Sequence, residues 1–176
     1  MGNLNNKKKV RVLEIAHGLA PGGIESFLIN VFENIDRDKI EINFALACEG
    51  KQFYEDKVIS EGAEVYHTSD LNGVKNITKH FFRLLKVLRN EGPFDVVHTN
   101  IDFFNGVNLI AAFIAGVPVR ISHSHNTNSA HARTIGATLP IRIYRKVMRA
   151  IINLLATKRL GCSKACLLYT SPSPRD

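Results

Sequence analysis

Short apolar runs alternate along this chain with stretches of helical periodicity, and that alternation leaves few architectures open. The runs Val10–Ala16, Ile42–Ala47, Ala63–His67, Val96–Thr99 and Val119–His123 are brief and rich in β-branched residues. That composition suits strands buried on both faces. Between and after them, residues 24–34, 53–61, 76–90, 104–115 and 139–157 carry the helical pattern. In the third stretch Ile77, Phe81, Leu84, Leu85 and Leu88 recur at helical spacing, with Lys79, Arg83, Lys86 and Arg89 mostly elsewhere. Turn residues sit at the joints, including Glu91-Gly92-Pro93 and Gly116-Val117-Pro118. The expected fold is α/β, a doubly wound parallel sheet with helices on both faces. Right-handed crossovers then bring the strand C-terminal ends to one edge, where such sheets bind ligands.

The composition agrees with a soluble globular domain: 176 residues, 45% hydrophobic and 22% charged. No apolar run reaches the roughly 18 residues of a membrane span. The basic N-terminus leads into a stretch too short and too charged for a signal peptide, and Cys48, Cys162 and Cys166 form no disulfide framework. A reducing, cytoplasmic setting is expected. The net charge of +7, concentrated at residues 7–11 and 142–159, favours anionic partners. Nucleic acid is not expected among them, because no recognition signature accompanies the charge.

The first strand is joined to the first helix by His17-Gly18-Leu19-Ala20-Pro21-Gly22-Gly23. Such a loop presents free backbone N–H groups at a positive dipole end, and glycines let a phosphate approach closely. It has neither the Gly-Lys-Ser/Thr of a P-loop nor the G-x-G-x-x-G spacing of a dinucleotide site. A wide turn with Gly22 and Gly23 at positive φ accounts for the same residues equally well. Glu25, in the first helical turn, reads as a charge favourable to the dipole.

His98, His123 and His125 all fall near strand C-terminal ends, and His123 and His125 share a face if the strand runs that far. Three roles are open to them: structural hydrogen bonding, metal ligation, and contact with a ligand's reacting groups. Metal is the weakest, since neither carboxylate nor cysteine accompanies the H-x-H in sequence and Cys162-x-x-x-Cys166 lacks a second ligand pair. The polar stretch 124–138 follows, long enough to be functional. His131 lies in its middle with nothing to fix its direction. Residues 139–159 place Arg142, Arg145, Lys146 and Arg149 on one side and Ile143, Val147, Ile151 and Leu154 on another. That is a surface helix with its apolar side in the core, or a helix that docks on anionic lipid.

The segments HGLAPGGIESFLINVF, FDVVHTN, AGVPVRISHSHNT and LGCSKA resemble, in order, the N-terminal domain of the family 4 glycosyltransferases. The resemblance implies a Rossmann-like domain, one half of a GT-B fold, of the type that builds bacterial surface polysaccharides. It implies transfer of a sugar from a nucleotide diphosphate sugar to a glycan or glycolipid hydroxyl, with retention of configuration and without a metal or other cofactor. Gly22 and Gly23 would lie against the donor diphosphate. His125, and second His123, would contact the acceptor and transition state, with His98, Asn126, Thr127 and His17 around the acceptor. A lipid-linked acceptor would place the Arg142–Arg159 region against an anionic inner membrane face. Residues 1–9 read as a tail and 10–165 as the domain. Residues 166–176, ending in SPSPRD, resemble non-native read-through of a truncated frame, with the C-terminal donor domain missing and the chain inactive alone. The rival reading is a noncatalytic α/β phosphate- or nucleotide-binding module.

Overall fold

The computed structural model describes residues 8–125, 138–163 and 166. In chain order they form β1 (Val10–Ala16), α1 (Gly23–Asn34), β2 (Ile40–Leu46), α2 (Glu55–Ser60), β3 (Val65–His67), α3 (Gly73–Asn90) and β4 (Val96–Thr99). A 3₁₀ turn (Asp102–Phe104) then leads into α4 (Asn105–Ile114) and β5 (Val119–Ser124), followed by α5 (Leu139–Leu155) and β6 (Lys158–Gly161). The six strands lie in the order β3-β2-β1-β4-β5-β6, and every neighbouring pair is parallel. This is the doubly wound order whose direction reverses between β1 and β4, opening a crevice at the carboxyl ends of those strands.

Alternation along each strand sends side chains to two separate cores. Ala16, Ile42, Phe44 and Leu46 meet Leu28, Ile29 and Phe32 of α1 and Val58 of α2 on one face. Leu13, Ile15, Ala45 and Val97 meet Leu84 and Leu88 of α3 and Ala111 and Ala112 of α4 on the other. Gly106 in α4 has a packing reason: a Cβ there would come within 2.9 Å of Met148 Sδ and 3.3 Å of Met148 O. The missing side chain is what lets α5 lie against α4.

Two features depart from the sequence expectation. A sixth strand, β6, follows α5; its Lys158, Arg159 and Leu160 are exposed, so it carries no apolar signature. A polar edge strand of this kind is protected against further pairing, which is also why periodicity misses it. The second departure is α5, whose fully buried residue is Ile152, while Ile143, Val147 and Leu154 are 55%, 47% and 81% exposed. The expected core side of this helix is therefore largely open, because α5 touches the body mainly through α4 and the 3₁₀ turn.

Candidate functional site

Glu14 is the residue from which the site is built. It lies in the middle of β1, 5% exposed, where a parallel sheet covered on both faces ordinarily holds aliphatic side chains. A buried carboxylate is tolerated only when its oxygens are hydrogen-bonded. The register supplies the partners: Glu14 pairs with His98 across β1 and β4, so both point to the α1 face. The His98 Nδ1–H donates to the carboxylate, 3.0 Å from Oε1 and 2.9 Å from Oε2. Asn100 Nδ2 donates to Oε2 at 3.1 Å.

From Glu14 the network runs outward along two branches. His98 Nε2 lies 3.2 Å from His123 Nδ1, and the two rings stack with centroids 5.3 Å apart. Asn100 Oδ1 accepts from His125 Nε2–H at 2.9 Å. The His123 and His125 rings stack at 4.0 Å, as expected of residues two apart at the end of one strand, and Phe27 of α1 meets both edge-on. Cys162, just beyond β6, closes the cluster, with Sγ 3.3 Å from His125 Nδ1 and 3.8 Å from His123 Nε2. The sequence expectation that no cysteine accompanies the H-x-H is thus corrected: β6 pairs in parallel beside β5 and delivers one from 37 residues downstream.

The cluster borders a pocket of about 420 Å³ lined by Gly23, Ile24, Glu25, Phe27, His125 and Cys162. Here the N-terminus of α1 faces the histidines, and no side chain caps it. The first N–H groups of a helix have no intrahelical acceptor, so those of Gly23, Ile24 and Glu25 are available to an anion. Gly22 is extended, at φ −168°, and neither it nor Gly23 is among the positive-φ glycines, which are Gly50, Gly62, Gly73 and Gly116. The wide-turn account of the two glycines therefore fails. The glycine loop is anchored instead by fully buried Leu19, whose carbonyl accepts from the Tyr54 N–H at 2.9 Å. The Glu25 carboxylate folds over Gly22, where a Cβ would collide with it. On the facing loop Asp102 adopts φ 44°, a left-handed conformation costly outside glycine and one that recurs at functional sites.

The sequence-derived site residues now separate. His125, Gly23 and Glu25 line the pocket, and Gly22 adjoins it. His123 and His98, 6% and 9% exposed, are buried partners that hold the arrangement. His17 is exposed at the start of the glycine loop. Asn126, Thr127 and His131 lie outside the described residues. Glu14, Asn100 and Phe27 were not singled out from sequence, and Cys162 was weighed only together with Cys166 and set aside. Glu14 did carry a signal, as a carboxylate flanked by Leu13 and Ile15 in the buried half of a central strand.

Beneath the sheet's other face a second polar chain braces the same edge. His80 Nδ1 lies 2.6 Å from Thr68 Oγ1 and its Nε2 lies 2.9 Å from Asn108 Oδ1. Asn108 donates to Thr99 Oγ1, Thr99 donates to Asn105 Oδ1, and Asn105 donates to Ser122 Oγ and the His123 carbonyl. Both ends of the His123 strand segment are thereby fixed, and a satisfied buried network of this kind is rigid.

Burial, with His125 and His98 nearby, pushes His123 down from 6.5 to about 4. The native state thus keeps this imidazole neutral where the unfolded chain would protonate it. Between pH 6.5 and about 4 the unfolded state binds more protons, so stability falls as pH falls. The loss from this group is about 3 kcal/mol across the window. Denaturant unfolding at stepped pH should show it, and His123→Gln should flatten the slope; an unchanged slope would assign the pH dependence elsewhere. Burial also lowers His125 and His80, in the same direction.

Fold and site together define a Rossmann-like α/β domain that presents a histidine pair and an uncapped helix N-terminus to one pocket. Among known proteins the chain is similar to the Bacillus subtilis (strain 168) protein described as "Putative glycosyltransferase EpsF", 29% identical over 159 residues. That match covers 90% of this chain, which spans 40% of the length of the curated relative. Among solved structures it resembles Anabaena Alr3699/HepE in complex with UDP and glucose, with a TM-score of 0.64, 17% identity, and coverage of 92% of this chain and 40% of that one. It also resembles the UDP-N-acetylglucosamine 2-epimerase from Rickettsia bellii, with a TM-score of 0.58, 16% identity, and coverage of 93% and 41%. At such identities these structures establish the fold. No protein-family model matches the chain.

Proposed function

We propose that this chain is the acceptor-side domain of a retaining glycosyltransferase of family 4 type, which moves a sugar from a nucleotide diphosphate sugar to a glycan or glycolipid hydroxyl. The observation that carries the reading is the convergence of His125 and the uncapped α1 N-terminus on one pocket beside the carboxyl ends of β5 and β6. Similarity to the B. subtilis protein supports the transferase class, and the UDP and glucose bound by HepE support the donor class.

In this reading the backbone N–H groups at Gly23 and Ile24 hold donor phosphate oxygens, where the helix dipole favours negative charge. Glu25 swings off Gly22 as the phosphate arrives. His125 donates through Nε2 to Asn100, which leaves Nδ1 as its acceptor toward an incoming hydroxyl. That nitrogen orients the hydroxyl and takes up its developing proton. His123, stacked beneath, and Phe27, edge-on, keep the ring from turning. Asn126, Thr127 and His17 supply further acceptor contacts. Polysaccharide assembly beside an anionic membrane is supported by α5, where exposed Leu139, Ile143, Tyr144 and Val147 accompany Arg142, Arg145, Lys146 and Arg149. No helix among the described residues is long and apolar enough to cross a membrane.

The test is an assay of this domain joined to a donor-binding domain, against nucleotide diphosphate sugars and hydroxyl acceptors. Transfer is expected from the joined protein and none from the 176-residue chain alone. Turnover by the chain alone would overturn the division of labour. Nucleotide binding without transfer by the joined protein would favour the noncatalytic module.

A further inference from the structure

From the geometry of His123, His125 and Cys162 we infer that these three side chains form a binding site for a Zn²⁺-class divalent ion, distinct in chemistry from sugar transfer. His123 Nε2, His125 Nδ1 and Cys162 Sγ all lie within 4.8 Å of one another. A tetrahedral zinc takes sulfur at about 2.3 Å and imidazole nitrogen at about 2.0–2.1 Å, which sets sulfur and nitrogen about 3.6 Å apart. The observed separations of 3.3 Å to His125 and 3.8 Å to His123 bracket that value. The donor atoms are thus close enough to share one ion once the two stacked rings turn to aim their in-plane lone pairs at it.

The surrounding hydrogen bonds select the correct nitrogens. Asn100 Oδ1 accepts the Nε2 proton of His125, so its lone pair is on Nδ1, the atom facing Cys162. Asn100 is itself oriented by donation to Glu14, so its oxygen cannot exchange places with its nitrogen without losing that bond. Glu14 accepts from His98 Nδ1–H, and with His98 Nε2 as the acceptor of the 3.2 Å contact to His123 Nδ1, His123 donates from Nδ1. The His123 lone pair is then on Nε2, again the atom facing Cys162. One buried carboxylate therefore sets both tautomers, the outer-shell arrangement that orients histidine ligands and raises their basicity. Two imidazoles and a thiolate suit Zn²⁺ better than Mg²⁺ or Ca²⁺, which prefer oxygen.

Binding releases the thiol proton of Cys162 to solvent and forms the metal–sulfur bond in its place. Three protein ligands leave a fourth position for water. The ion and an acceptor hydroxyl compete for the same lone pair on His125 Nδ1, so occupancy by metal blocks the transfer role proposed above.

The experiment uses the reduced, metal-free 176-residue chain titrated with Co²⁺, followed by displacement with Zn²⁺. Expected are one bound equivalent, the visible bands of tetrahedral cobalt and a thiolate-to-cobalt charge-transfer band in the near ultraviolet, all bleached by Zn²⁺. Cys162→Ser should abolish the charge-transfer band. Cys162 is exposed, so this variant should keep the far-ultraviolet dichroism of the parent. His125→Ala should weaken Co²⁺ at least a hundredfold, while Cys48→Ser and Cys166→Ser should retain the band. Absence of the band in the parent chain, or its survival in Cys162→Ser, would overturn the site. Because no nucleotide sugar is involved, either outcome is independent of the transferase reading.

Discussion

Replacing His125 by alanine, in an enzyme that joins this domain to its donor half, is expected to lower sugar transfer by about 10² to 10⁴, the usual worth of a positioned proton-transfer or hydrogen-bonding group. Folding should be nearly unaffected, because the ring is only half-buried and its loss removes a partner from the Asn100 amide oxygen and from the thiol of exposed Cys162, both of which water can reach. A fall in kcat with little change in KM fits a contact made chiefly in the transition state. His123→Ala separates the two histidines by a different signature. That ring is 6% exposed and wedged between His98 and His125, so its removal should cost stability as well as activity. Activity in His125→Ala alongside an inactive but folded His123→Ala would move the role to His123. Turnover in both would make the pair structural. His131, outside the described residues, is the control expected to be silent.

The fold was legible because its determinants are local and repeated. Apolar runs of strand length bounded by Gly and Pro, alternating with 3.6-residue periodicity, leave a parallel sheet as the arrangement that buries every run. The positions of His98, His123 and His125 were legible for the same reason, since strand ends in such a sheet share an edge. Contacts that depend on register were not. That Glu14 touches His98 follows from β1 pairing with β4, 84 residues apart, and not from either local sequence. Cys162 reaches His125 only because a polar edge strand with no hydrophobic pattern pairs beside β5. The amphipathic pattern of α5 was equally visible, yet it could not reveal which apolar residues find a partner: Ile152 does, and Leu154 does not.

Gly23→Val should abolish most transfer while leaving the domain's thermal midpoint within about 2 °C of the parent, a separation that follows from what surrounds the residue. A Cβ built at Gly23 meets nothing within 4 Å, and the residue opens α1 without a positive φ, so no internal clash or strain opposes a side chain there. In a helix glycine is itself a weak choice, costing about 0.5–1 kcal/mol relative to alanine, so the substitution removes no folding advantage. What remains to explain the glycine is the space it leaves in the pocket it lines with Phe27 and His125. A branched side chain in that space holds a phosphate away from the N–H groups at the helix start. Losing such donors to a developing charge typically costs about 10² to 10³ in rate. Gly23→Ala, with its single methyl, should fall between parent and valine. Valine kinetics equal to the parent, at an unchanged thermal midpoint, would mean that no ligand approaches the helix at Gly23, and the glycine loop would be only a connection between β1 and α1.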